Sequence, residues 1–138
     1  MPYRYSIDEA RRLITVICAG DLPLEEAEEA TSVVLGDPAY KASYGCLVDM
    51  RGARFHVSSP DSRRLAEQNA TEAPPLPPGQ RRGQIALVTG DEISYGVARQ
   101  YAAFSGMRGI PVEVFRDLAA AASWLGIELH GGATAEAC

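Results

Sequence analysis

The residues able to do chemistry are few and scattered. His56 and His130 are the two histidines. Neither stands in an HxH, HExxH or histidine-plus-carboxylate spacing, so neither metal ligation nor base catalysis is expected. Cys18, Cys46 and Cys138 match no zinc or CxxC spacing. Cys18 and Cys46 fall in apolar, strand-like runs, where a thiol behaves as a small buried hydrophobe and burial raises its pKa. Thr89-Gly90-Asp91 occupies a strand-to-helix turn but lacks the P-loop pattern, and Asp91 with Glu92 would repel an anion. No catalytic residue, no metal site and no cofactor is predicted.

Binding chemistry has a better candidate in residues 45–60. An apolar strand over 46–49 ends on Asp49, a glycine-containing loop follows with Arg51 and Arg54, and Ser58 and Ser59 open a helix at Pro60. In an α/β sheet such a turn is where ligand- or partner-binding groups collect. Asp49 and Arg51 would orient a ligand or form an ion pair. Ser59 has the place of an N-cap before Pro60, with Asp61 behind it. Tyr95, off the main apolar face of a later helix, completes the candidate set of Asp49, Arg51, Ser58, Ser59 and Tyr95. Tyr95, Tyr101 and Phe104 also have the spacing to line an apolar pocket beside the sheet.

The elements that must position these groups follow from periodicity. Residues 3–7 and 13–19 read as two strands joined by a turn over 8–11, hence an antiparallel hairpin. Asp21 is expected to cap a helix with Pro23 in its first turn, Glu25, Glu26 and Glu28 near its positive end, and a core face of Leu24, Ala27, Ala30 and Val34. Gly36, Asp37 and Pro38 stop it. The helix opened by Pro60 runs to about Asn69 with Leu65 and Ala66 inward. Residues 73–83 contain Pro74, Pro75, Pro77 and Pro78 and read as a stiff connection rather than a proline-rich ligand. Residues 84–89 form the cleanest buried strand. Asp91 caps the next helix, with a face of Ile93, Val97, Tyr101 and Phe104; Gly96 within it suggests close approach of a neighbouring backbone. Gly106 and Gly109 end it. Residues 111–115 form the last strand, and Asp117 caps a helix with Leu118, Ala121, Ala122 and Leu125 beside Trp124.

The order is therefore ββαβαβαβα, which predicts an α/β fold: a mostly parallel central sheet that starts with an antiparallel hairpin and has helices on its faces. The chain has 138 residues, which suits one domain over 1–126 with a flexible tail over 127–138. A net charge of -5 argues against nucleic acid and anionic membrane surfaces. The basic pairs Arg11-Arg12, Arg63-Arg64 and Arg81-Arg82 read as solvated faces. The N-terminus shows no signal peptide, and no apolar run approaches a membrane span. With unpaired cysteines, this places the protein in the cytoplasm.

Three further segments stand out: Val48-Asp49-Met50-Arg51-Gly52, then Ile93-Ser94-Tyr95-Gly96-Val97-Ala98-Arg99, and Val114-Phe115-Arg116-Asp117-Leu118 with Ala122, Trp124 and Leu125. Together they resemble the SpoIIAA-like family. That family of small bacterial proteins is related to STAS domains and to the CRAL-TRIO lipid-binding fold, and the resemblance spans residues 1–126. It implies a STAS-like fold and a non-catalytic regulatory or interaction module. In sporulation-type STAS regulators a kinase modifies a serine in the loop after the third strand, which implies Ser58 or Ser59 as phosphoacceptor. Val57 stands where that motif has aspartate, and Pro60 follows. The CRAL-TRIO relationship implies an alternative, a small carrier of an apolar or lipid-like ligand between helices and sheet. The expected partner is thus a protein or a small apolar ligand, and exposed sheet edges with aromatic helix faces allow a homodimer. A packed interior would favour the interaction module, and a cavity the carrier.

Overall fold

In the computed structural model, which describes residues 2–129, β1 (Tyr3–Asp8) and β2 (Leu13–Asp21) form the expected antiparallel hairpin. Arg12 closes its turn in the left-handed region, at φ 54. Helix α1 (Leu24–Leu35), β3 (Gly45–Arg54), α2 (Ser59–Glu72), β4 (Ile85–Thr89), α3 (Glu92–Gly106), β5 (Val112–Phe115) and α4 (Leu118–Leu125) follow. The strands pair in sequence order, β1-β2-β3-β4-β5, and all pairs after the first are parallel. Crossovers of one hand that step a sheet in one direction leave their helices on one face. Accordingly, a large core containing Ile14, Val16, Met50, Leu65, Leu87 and Ala98 lies under α1, α2 and α3. A smaller one, with Leu13, Leu47, Ala86, Val88 and Ala121, lies under α4. Strand β4 is buried along its whole length, as its unbroken apolar run predicts. Residues 130–138, with His130, Cys138 and most of the expected tail, lie outside the described residues.

Several local expectations are corrected. Strand β3 does not stop at Asp49 but continues through Arg54, so the presumed glycine loop is strand. Its pairing with β2 shifts there. Ile17 pairs with Asp49 and Ala19 with Gly52, which leaves Met50 and Arg51 opposite Cys18 alone. This β-bulge inverts the alternation. Before it the odd positions Leu47 and Asp49 face α4; after it Ala53 and Phe55 join the core under the other helices. Asp21 does not cap α1. It is the last residue of β2 and pairs across the sheet with Arg54 at 2.6 Å, and Pro23 occupies the cap position. The α2 cap is Ser58, not Ser59. Ser58 Oγ accepts from the Asp61 backbone N–H at 3.2 Å, Ser59 is the first helical residue, and the helix runs past Asn69 to Glu72. In α3 the buried positions are Ser94, Ala98 and Ser105, and Ile93 is exposed. No atom comes within 4 Å of a Cβ built at Gly96. The close backbone approaches are at Gly83 and Gly90 instead.

Candidate functional site

The C-terminal ends of β3, β4 and β5 and the starts of α2, α3 and α4 form one rim; Ser58, Ser59 and Tyr95 lie along it, and Asp49 and Arg51 lie beside it, in the middle of β3 opposite the end of β4. Asp49 is buried on the α4 side. It accepts from Arg51 Nε at 2.9 Å, Arg51 Nη2 at 2.8 Å and the Arg51 backbone N–H at 3.1 Å. Burial pushes its carboxyl up, but these bonds outweigh that and hold it below the usual carboxylate range. Ser58 is engaged as the cap, while Ser59 is exposed. Tyr95, in the first turns of α3, carries the Arg116 guanidinium over its ring at 4.0 Å. No hydrogen bond or ion pair among the described residues joins the Asp49–Arg51 pair to Ser58, Ser59 or Tyr95. The fold gathers these residues on or beside one rim without building them into one constellation.

The rim also holds a pair that spacing did not reveal. His56 Nε2 lies 3.0 Å from Asp91 Oδ1, although the two are 35 positions apart. Ser94 donates its hydroxyl to Asp91 Oδ2 at 2.8 Å and accepts from the Phe55 backbone N–H at 2.8 Å. The order of contact is His56, Asp91, Ser94, with the carboxylate in the middle. In a hydrolytic triad the histidine stands between carboxylate and serine and takes the serine's proton. Here Ser94 is fully buried and its hydroxyl is occupied on both sides, so it steadies the Asp91 cap of α3 and ties it to the chain just past the end of β3. The backbone N–H and hydroxyl of Ser94, with His56 beyond, hold the Asp91 carboxyl down at about 2. Cations at the rim are matched by carboxylates: Arg51 with Asp49, Arg54 with Asp21 and Arg116 with Glu92. Little positive field is left there for an anionic ligand.

A second site lies inside. Between the sheet and α1, α2 and α3 is a cavity of about 140 Å³. Its walls are mostly apolar and include Val16, Ala30, Val48, Met50, Phe55 and Leu65. Of the aromatic trio on α3, Tyr101 lines it, whereas Tyr95 and Phe104 do not. Cys46 and Tyr101, both half-buried, are part of its wall. Burial pushes the thiols of Cys18 and Cys46, both on its wall, up to about 12. That fits the expectation of inert, hydrophobe-like cysteines for this pair.

One end of the cavity is polar. Arg82, expected on a solvated face, is half-buried there and donates from Nη2 to Asn69 Oδ1 at 2.8 Å. Asn69 Nδ2 lies 3.4 Å from the Tyr101 hydroxyl. Arg82 Nε is buried with no hydrogen-bond partner, and no carboxylate among the described residues pairs with Arg82. At this end a wider groove of about 540 Å³ opens between the hairpin turn and the proline-rich connection, and shares Tyr40, Ala42 and Tyr44 with the cavity. Sequence reasoning offered an apolar pocket with Tyr101 on its wall but missed this polar end, because Arg82, Asn69 and Tyr101 meet only through the packing of α2, α3 and the entry to β4. The proline run next to a basic pair was its one visible trace.

Among the described residues no group of three histidine, cysteine or acidic side chains could hold a metal ion, and no helix is long and apolar enough to cross a membrane. No family model and no curated protein matches the sequence. Among solved structures, the chain is similar to an uncharacterized protein of the DUF3478 family from Shewanella loihica PV-4 whose crystal structure has a SpoIIAA-like fold. The two are 16% identical, the match covers 89% of this chain and 93% of that one, and the TM-score is 0.51. A parallel sheet opened by an antiparallel hairpin, three helices on one face and a fourth on the other agree with that likeness: the chain has a SpoIIAA-like fold.

Proposed function

We propose that the domain is a non-catalytic module that binds a small apolar ligand in the cavity beneath α1, α2 and α3. The supporting observation is the cavity itself. Protein interiors ordinarily pack to crystal density, and a void forfeits contacts along its whole lining. A space of about 140 Å³ is close to the ~150 Å³ of engineered apolar cavities that stay dry and take up benzene. A carrier or a ligand-gated regulator both use such a site, and the groove at Tyr40 and Tyr44 supplies an approach to it.

Native mass spectrometry of freshly purified protein tests this. The expected spectrum contains a noncovalent adduct of small mass that disappears in Ala30→Leu. Ala30 lines the cavity and is half-buried, so the larger side chain fills empty space rather than displacing packed atoms. A clean apo mass for the wild type, together with no uptake of added toluene, would refute the ligand-binding reading.

A second reading rests on Ser59, exposed at the first position of α2 and not used by the cap. A phosphate there would meet the favourable helix dipole, and the rim would serve as a switchable protein-recognition surface. Phosphosite mapping after incubation with cell lysate is expected to find modification at Ser59 rather than at the engaged Ser58. Absence of modification at both removes the switch.

A further inference from the structure

The polar end of the cavity has a direction. Arginine can only donate, so the contact from Arg82 Nη2 requires the oxygen of the Asn69 amide to face it. The Asn69 nitrogen then faces the Tyr101 hydroxyl and donates to it. The hydroxyl oxygen is thereby engaged as an acceptor, and its own hydrogen is shared between the buried Ser105 hydroxyl beside it and any acceptor that enters the cavity. Burial holds the Tyr101 hydroxyl protonated, with its pKa raised above the usual phenol range. Arg82 Nε is likewise a buried donor without an acceptor. Apart from the buried Ser105 hydroxyl, which donates as well as accepts, acceptor capacity at this end is used up within the protein, while donor capacity and one positive charge are not. An apolar chamber with surplus donors at one pole matches a ligand with an apolar body and an anionic, acceptor-only head.

The head is limited to a single charge. Arg82 is the one cation among the residues lining the cavity. A dianionic phosphate would bring two charges against one guanidinium in a low-dielectric space. A carboxylate is planar, matches the guanidinium fork and is neutralised by it. We propose, resting on the cavity reading above, that the ligand is a small carboxylic acid whose carboxylate is held by Arg82 Nε and the Tyr101 hydroxyl, with its apolar body against Val48, Met50 and Leu65.

Titration calorimetry with benzoate, benzamide and toluene separates the parts of this proposal. Benzoate and benzamide share shape, but benzamide lacks the charge and presents an N–H₂ to groups that themselves donate. Benzoate is expected to bind at least about tenfold more tightly than benzamide, since hydrogen bonds to a charged group are the stronger kind. In Arg82→Gln that preference should collapse while toluene binding persists, which also shows that the variant is folded. If Arg82→Gln loses toluene as well, Tyr101→Phe decides: a reduced benzoate preference with unchanged toluene binding supports the anchor, and an unchanged preference overturns it. Toluene binding in the wild type without any preference for benzoate overturns the anchor and leaves the apolar site standing. Failure of all three probes overturns both.

Discussion

Gly83→Ala is expected to lower the melting temperature by about 10 °C, whereas Gly96→Ala should raise it by a few degrees. A Cβ at Gly83 would overlap the carbonyl group of Tyr44 and come within 2.8 Å of the Ser43 carbonyl oxygen. These are backbone atoms, so no rotamer change relieves the clash. Gly83 is also fixed to the same segment by its N–H, which donates to the Ala42 carbonyl at 2.8 Å. Relief requires the entry to β4 to move away from the entry to β3, and those are two adjacent inner strands of the sheet. Overpacking of this kind costs about 3 kcal/mol or more. For a domain of this size each kcal/mol is worth roughly 3–4 °C. Gly96 lies inside α3 with open space around it, so alanine there gains about 1 kcal/mol of helix propensity without a clash. Thermal denaturation of the two variants side by side reads out a difference of opposite sign. A Gly83→Ala protein that melts with the wild type would mean the strands have room that this backbone contact denies them.

The second large effect is expected at Asp49. Arg51→Met should destabilise the protein at neutral pH by about 2 kcal/mol. Removing one partner of a fully buried ion pair costs about 3–5 kcal/mol, and the half-exposed Arg51 places this pair below that range. The pH response identifies the cause. In the wild type the folded Asp49 carboxyl lies below its unfolded value near 3.9, so it contributes stability above that pH and loses it as pH falls through the folded value. Without the Arg51 side chain, burial, the largest influence on this carboxyl, is opposed only by the backbone N–H of residue 51, and the folded pKa rises above the unfolded one. The sign then reverses: the variant is least stable at neutral pH, and its deficit narrows as the pH falls from 7 toward about 4.5. Urea midpoints at both pH values measure this, and Asp49→Asn with Arg51→Met should recover most of the loss. A deficit that does not change with pH would point to lost packing of the arginine stem instead.

The two glycines show where sequence reading succeeds and where it stops. The element order, the hairpin and the caps at Asp91 and Asp117 were legible because each depends on residues within a few positions of one another. Whether a glycine is needed for close approach depends on what packs against it, and Tyr44 is remote from Gly83 in sequence. The same holds for His56 with Asp91, joined only once β3, α2 and β4 are in place. Strand β3 was cut short because Arg51, Gly52 and Arg54 look like loop, yet the ladder with β2 runs on to Arg54. The proposed site lies away from the rim for a related reason. A rim rich in Asp49, Arg51 and Ser58 attracts attention in sequence, but its charges satisfy one another. Arg82 attracted none, because burial and an unmatched charge are properties of the folded state.

The bulge at Met50 and Arg51 makes β3 behave like a message with a frameshift. Odd-numbered residues before it are read by α4 and odd-numbered residues after it by the opposite face, so the meaning of an apolar position depends on how many residues precede it. Substitutions in the strand change one contact each. A deletion of Gly52 would turn Ala53 and Phe55 outward together and bring Arg54 toward the core. Length, more than composition, is what this segment must preserve.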